Sequence, residues 1–140
     1  MSLKLTKDTT ATPDEYSSGT GLDPITVAIT LDGTNTPATV VATPVDPIYA
    51  WADDDTGTID NYSTLSVSIV GSDTGITWEL SLDGSTGWAS SKTLPSPMDV
   101  SVTHATTRIY TRATAINDGS VATNNYTTAD IELTGTSNPA

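Results

Sequence analysis

The sequence predicts an all-β protein, a two-sheet antiparallel β-sandwich, on three observations. Several short runs alternate apolar and polar residues and are bounded by Gly, Pro, Asn and Asp, the pattern of strands with one buried face. Thr is the commonest residue and is accompanied by Val, Ile, Tyr and Trp, while Leu, Glu and Lys are scarce, which favours strands over helices. The clearest hairpin is residues 76–88, ITWELSLDGSTGW: Ile76, Trp78, Leu80 and Leu82 share one face, and Asp83-Gly84 offers the positive φ of a tight turn. Trp78 is the expected centre of the core because an indole is the largest block of apolar area one side chain can bury. Leu80, Val67, Ile109 and Ile131 are expected around it.

Taken in order, residues 1–24 are polar, carry Pro13, Gly19 and Gly21, and show little periodicity beyond Leu3 and Leu5. They read as an extended N-terminal arm, either a disordered terminus or a segment that orders on a partner through the spaced anchors Leu3, Leu5, Tyr16 and Leu22. Residues 25–136 are expected to form the single sandwich domain, and 137–140 a disordered tail. Residues 25–31 (ITVAITL) are a strand with Ile25, Val27, Ile29 and Leu31 on one face. Residues 38–43 are a short strand between prolines, and 45–52 a strand that Pro47 makes an edge or a bulge. A loop follows over 52–61. Leu65, Val67 and Ile69 then alternate with serines up to Gly71, and the hairpin comes next. Residues 90–97, with two prolines, read as a connection. Met98, Val100 and Val102 alternate with polar residues. Residues 106–116 are a long strand with Ile109, Thr111 and Ala113 on one face and Arg108, Tyr110 and Arg112 on the other. Asn117-Asp118-Gly119 is a turn, and 127–134 closes the fold with Ala129, Ile131 and Leu133 facing in.

The formal net charge is −12, from 17 Asp and Glu against five Lys and Arg. Such a field repels polyanions, so neither nucleic acid nor an anionic membrane is an expected partner. Cysteine is absent, which excludes disulfides and thiolate metal sites. The first ten residues contain no apolar core of a secretory signal, and no stretch approaches a membrane span.

Asp53, Asp54, Asp55 and Asp60 supply the hard oxygen ligands that Ca²⁺ takes, but their spacing departs from the EF-hand loop, and a solvated acidic loop is the preferred reading. The single histidine, His104, has no recognisable catalytic or zinc-binding companions. Trp51, Trp88, Tyr49, Tyr62 and Tyr126 form either a sugar-binding platform or, as preferred, parts of a core and interface that no Phe can fill. Arg108 and Arg112, with Tyr110 between them, are the one basic stripe, suited to a neighbour's carboxylates or to acids on the adjacent strand. No nucleophile and base pair is visible, so neither catalytic residue, metal nor cofactor is expected.

From residue 63 onward the layout resembles immunoglobulin-like and fibronectin type III domains. Trp78 at the third-strand position, LSLDGSTGW as the following hairpin and IYTRATAINDG as a penultimate strand running into a turn carry the resemblance. The chain departs from that pattern by lacking the paired cysteines of antibody domains and by two extra strand candidates before Ser63. As a whole, through GLDPITVAITLDGT, IYAWA, the Trp78 hairpin and RATAINDGSVATNNYTTADIELTGT, the chain also resembles small, acidic, Cys-free virion proteins of tailed bacteriophages. That resemblance implies a non-enzymatic virion protein, made in the host cytoplasm without a signal peptide. It would decorate the capsid or belong to the tail, bind other virion subunits and form a homo-oligomer in the assembly. A carbohydrate-binding module is the reading from another class.

Overall fold

The computed structural model describes residues 2–17, 21–54, 56–100 and 104–140; Asp55, Val102 and the side chain of Leu22 fall outside that description. The chain is all-β, with no helix among the described residues. Its strands are β1 (Ser2–Thr6), β2 (Glu15–Ser17), β3 (Gly21–Pro24), β4 (Val27–Ile29), β5 (Thr39–Ala42), β6 (Ile48–Asp53) and β7 (Ile59–Val70). They continue as β8 (Ile76–Ser81), β9 (Ser91–Thr93), β10 (Met98–Asp99), β11 (Ala105–Ile116), β12 (Asn124–Tyr126) and β13 (Asp130–Pro139). Every pairing among them is antiparallel.

One sheet runs β2-β1-β6-β11, with β8 and β5 also on β11. The other runs β3-β13-β7, with β9 and β10 on the far edge of β7, and β4 and β12 form a separate ribbon. Inward residues of both large sheets meet in one apolar core that includes Leu65, Val67, Trp78, Leu80, Ile109 and Ile131. This is a β-sandwich-like arrangement. Trp78 is 5 % exposed, and its indole Nε1 donates to Asp73 Oδ2 at 2.9 Å. Asp73 Oδ1 in turn accepts the Thr128 N–H at 3.2 Å, so one carboxylate ties the approach to β8 to the approach to β13.

The long strand β7 changes face part-way. Tyr62 is buried, and so are Leu65 and Val67, which lie on the opposite parity. A strand can do this only by inserting a residue. Thr64 takes that role at φ 53°, where the register with β13 slips between Thr134 and Thr136. Gly135 lies at the same slip, and a Cβ there would sit 2.6 Å from Leu65 Cδ2 and 3.0 Å from Leu3 Cδ2. Two sheets therefore close on each other around a residue with no side chain.

β11 organises the first sheet. β8 fills one edge from Tyr110 to Ala115, so β5 and β6 share the other edge end to end, Ala42 opposite Ala113 and Ile48 opposite Ile109. Between them residues 43–47, with Pro44 and Pro47, bulge away from residues 110–112, which have no strand partner on that edge. Proline cannot donate to a ladder, and two of them keep this gap open. Val45, at the tip, is 99 % exposed.

Several boundaries differ from the sequence reading. Residues 2–17 and 21–24 do not form an extended arm. β1 pairs with β6 through all five of its residues, β3 pairs with β13, and Leu3 and Leu5 are 3 % and 1 % exposed, inside the core. A boundary at residue 24 therefore cuts through packed structure. The segment reads as an arm because its strands are too short to show a period, and their partners lie far along the chain. The expected tail at 137–140 is also built in: β13 reaches Pro139, and the Ala140 N–H donates to Thr58 O at 3.1 Å. Residues 90–97 hold β9 and the buried Leu94 rather than a bare connection.

Candidate functional site

Residues directly opposite each other in an antiparallel pair share a face of the sheet. The register of the first sheet sets Arg108 opposite Tyr49, Arg112 opposite Glu79, and Lys4 opposite Trp51. Since Ile109, Thr111 and Ala113 point into the core, this row points outward. The result is a face on which cations alternate with aromatic rings.

Lys4 Nζ lies 4.3 Å from the centre of the Trp51 ring, and Lys7 Nζ 5.2 Å from that of Tyr16. The Arg108 guanidinium lies 5.2 Å from Tyr49 and 4.6 Å from Tyr110, between the two rings. Arg112 lies 4.2 Å from Trp88. Four of the five Lys and Arg residues thus stack on rings, an arrangement in which the ring quadrupole attracts the charge and fixes a flexible side chain. The fifth, Lys92, donates to Gly87 O at 2.7 Å.

Three of the stacked cations also meet a carboxylate. Lys4 pairs with Glu15, Lys7 with Asp46 at 3.4 Å, and Arg112 with Glu79 at 3.1 Å. Glu79 lies on the adjacent strand, so Arg112 pairs within the chain. Tyr16 donates from its hydroxyl to Pro47 O at 3.1 Å, and burial together with the nearby Asp46 carboxylate pushes its pKa up to about 12. Tyr16 therefore clamps β2 to the 43–47 bulge. On the far side of Tyr110 sits Gly84, whose φ is +77° and whose absent Cβ would stand 2.9 Å from the Tyr110 ring. Glycine is required there on both counts, and it sets the position of the ring.

Between the 43–47 bulge and the turn after β8 lies a crevice of about 400 Å³, lined by Val41, Pro44, Trp88, Arg108, Tyr110 and Arg112 among others. Two buried polar atoms of its lining residues have no hydrogen-bond partner among the described residues, Arg108 Nε and Thr111 Oγ1. A planar guanidinium held between rings, beside unpaired backbone and an indole, is equipped for recognition of an acidic group.

The other candidates are placed elsewhere or used internally. His104 stacks on Trp51 at 4.7 Å, and its Nε2 donates to Thr9 O at 2.9 Å, holding the loop after β1 over the indole. Asp54 accepts the Thr56 N–H at 3.0 Å, the Thr56 hydroxyl at 2.7 Å and the Ile59 N–H, so its carboxylate organises its own turn. Among the described residues no three His, Asp or Glu side chains are grouped to hold a metal ion. Tyr62 belongs to the core, and Tyr126 lies on the β4–β12 ribbon, so the five aromatics do not make one platform. Lys4, Tyr49, Glu79 and Trp88 join the Arg108 face without having been grouped with it from sequence. The alternation in IYAWA puts Tyr49 and Trp51 on one side, but only the strand register sets them against Arg108 and Lys4. No family model matches the chain, and no curated protein or solved structure matches it either.

Proposed function

We propose that the chain is a non-enzymatic structural protein of a tailed-bacteriophage virion, most simply a capsid decoration protein that binds other virion subunits. The observation that carries this reading is the cation and aromatic face on β6, β11 and β8. Arg, Tyr and Trp are the residues that dominate binding energy at protein interfaces, and here Tyr49, Arg108, Tyr110 and Arg112 stand on strands, with Trp88 on the turn that follows β8. A sandwich-like, Cys-free, acidic module is compatible with service as an adhesive unit.

The finer fold assignment belongs to the same reading. In an immunoglobulin-like domain strand B pairs with E and strand C with F. Here β7 pairs with β9 and β8 with β11, while β5–β6 stands beside β11 in the place of the last strand and β13 beside β7 in the place of the first. We read this as an immunoglobulin-like sandwich with its strand order rotated. Cryo-electron microscopy of the particle tests the functional reading. Density for the chain on the capsid surface is the expected result, density along the tail makes it a tail component, and absence from the particle overturns the virion assignment.

A further inference from the structure

Of the four cations stacked on the outer face, Arg108 alone has no carboxylate within ion-pair distance among the described residues. This is notable in a chain with 17 acidic residues. Asp46 lines the same crevice, but its carboxylate is on Lys7. Two rings flank the Arg108 guanidinium, Tyr49 at 5.2 Å and Tyr110 at 4.6 Å, and its N–H groups donate in its own plane. Its Nε is buried without an acceptor among the described residues. Unsatisfied buried donors are costly and call for an explanation.

We propose that the crevice beside Arg108 takes the carboxylate of an aspartate or glutamate side chain presented by a protein partner. This rests on reading the chain as a protein-binding module and says which residue anchors the partner. The planar fork matches a carboxylate in two parallel hydrogen bonds, and the flanking tyrosines hold it in place before the partner arrives. Charge selects the kind of partner. A net charge of −12 repels an acidic polysaccharide and a second copy of the chain, whereas a neutral or basic protein with one protruding acid meets attraction at long range and a matched ion pair at contact.

The test is a titration of the intact wild-type protein, labelled with ¹⁵N, following the arginine Nε–H resonances. Stacking between two rings gives Arg108 a displaced signal that Arg108→Gln identifies by its loss. N-acetylglutamate N-methylamide is the probe, with its glutamine counterpart and glucuronate as the other arms. The expected result is a saturable shift of the Arg108 signal with the glutamate compound and at least about tenfold weaker response to the neutral amide. No response to the glutamate compound, a response confined to Arg112, or tighter binding of glucuronate each overturns the proposal. The titration is made on the wild-type protein, and a variant enters only in the assignment, where Arg112→Gln distinguishes the two arginine signals should Arg108→Gln fail to fold. It also reads carboxylate binding irrespective of where the protein resides, so its failure is distinguishable from failure of the virion assignment.

Discussion

Six aspartates are followed two positions later by Thr or Ser, and the five whose Thr or Ser is among the described residues use their carboxylates in the same way. Asp8, Asp32, Asp54, Asp83 and Asp118 accept the N–H of Thr10, Thr34, Thr56, Ser85 and Ser120, and four of these pairs add the hydroxyl; Asp83 takes its hydroxyl from Thr86. These are Asx-turns, in which a short side chain supplies the acceptor that the backbone lacks. Much of the acidity is therefore structural. Hydrogen bonds from the Thr34 hydroxyl and N–H and from Asn117 hold Asp32 down at about 2, from an ordinary value of 3.8. The Thr86 hydroxyl and N–H lower Asp83, the Thr56 hydroxyl and Ile59 N–H lower Asp54, the Ser120 hydroxyl lowers Asp118, and the Asp14 and Thr10 N–H groups lower Asp8. A carboxyl whose folded pKa is depressed contributes stability that is complete above its unfolded value and lost as pH falls through its folded one. The melting temperature should hold steady from about pH 7 to 5 and then fall between about pH 4 and 2. Calorimetry across that range checks it, and Asp32→Asn should flatten part of the acid limb. An acid limb that Asp32→Asn leaves unchanged would mean that its hydrogen bonds do not survive in solution. The motif is visible in sequence as Asp-x-Thr or Asp-x-Ser. The buried Asn117 is less so, because its partners Asp32 and Gly33 lie on a loop far away in the chain.

At the level of elements, β1 is the instructive case. Leu3 and Leu5 pack in the core, and the strand lies between β2 and β6, so it closes the sheet that carries Lys4 and Trp51. Leu5→Ala should destabilise the protein by about 2–5 kcal/mol, the range for emptying a fully buried leucine site. Urea unfolding measures this, and a loss under about 0.5 kcal/mol, typical of a surface position, would restore the arm. The central strands were legible: over 76–80 and 109–115 buried positions alternate with more exposed ones because one side faces the core and the other water. Strands of three or four residues such as β2, β3 and β9 were not, since a period cannot be seen in so few positions, and their identity depends on the ladder they join. The strand expected at 45–52 begins only at Ile48 for a related reason, the excursion of Pro44 to Pro47.

For the molecule as a whole, charge is arranged unevenly. Composition shows the excess of acid, but only the fold shows that four of the five cations are gathered at one side of the first sheet, with Glu15, Asp46 and Glu79 among them. Self-repulsion at −12 destabilises the compact state, and salt weakens it as the screening length falls from about 30 Å at 0.01 M to about 8 Å at 0.15 M. The melting temperature should rise by roughly 3 °C over that interval, equivalent to about 1 kcal/mol. A fall on adding salt would mean that the ion pairs of the outer face outweigh the general repulsion. One feature of the topology bears on synthesis. Among the described residues β3 pairs only with residues 130–133, whereas β1 finds its partners earlier, in β2 and then β6. A nascent chain thus carries the Gly21–Pro24 segment on the ribosome as an unmated strand edge until β13 has emerged, exposed to wrong pairings while all the intervening strands are made. The polar, Thr-rich character of these early residues keeps that wait soluble, and it is the same character that makes them look, in sequence, like something outside the fold.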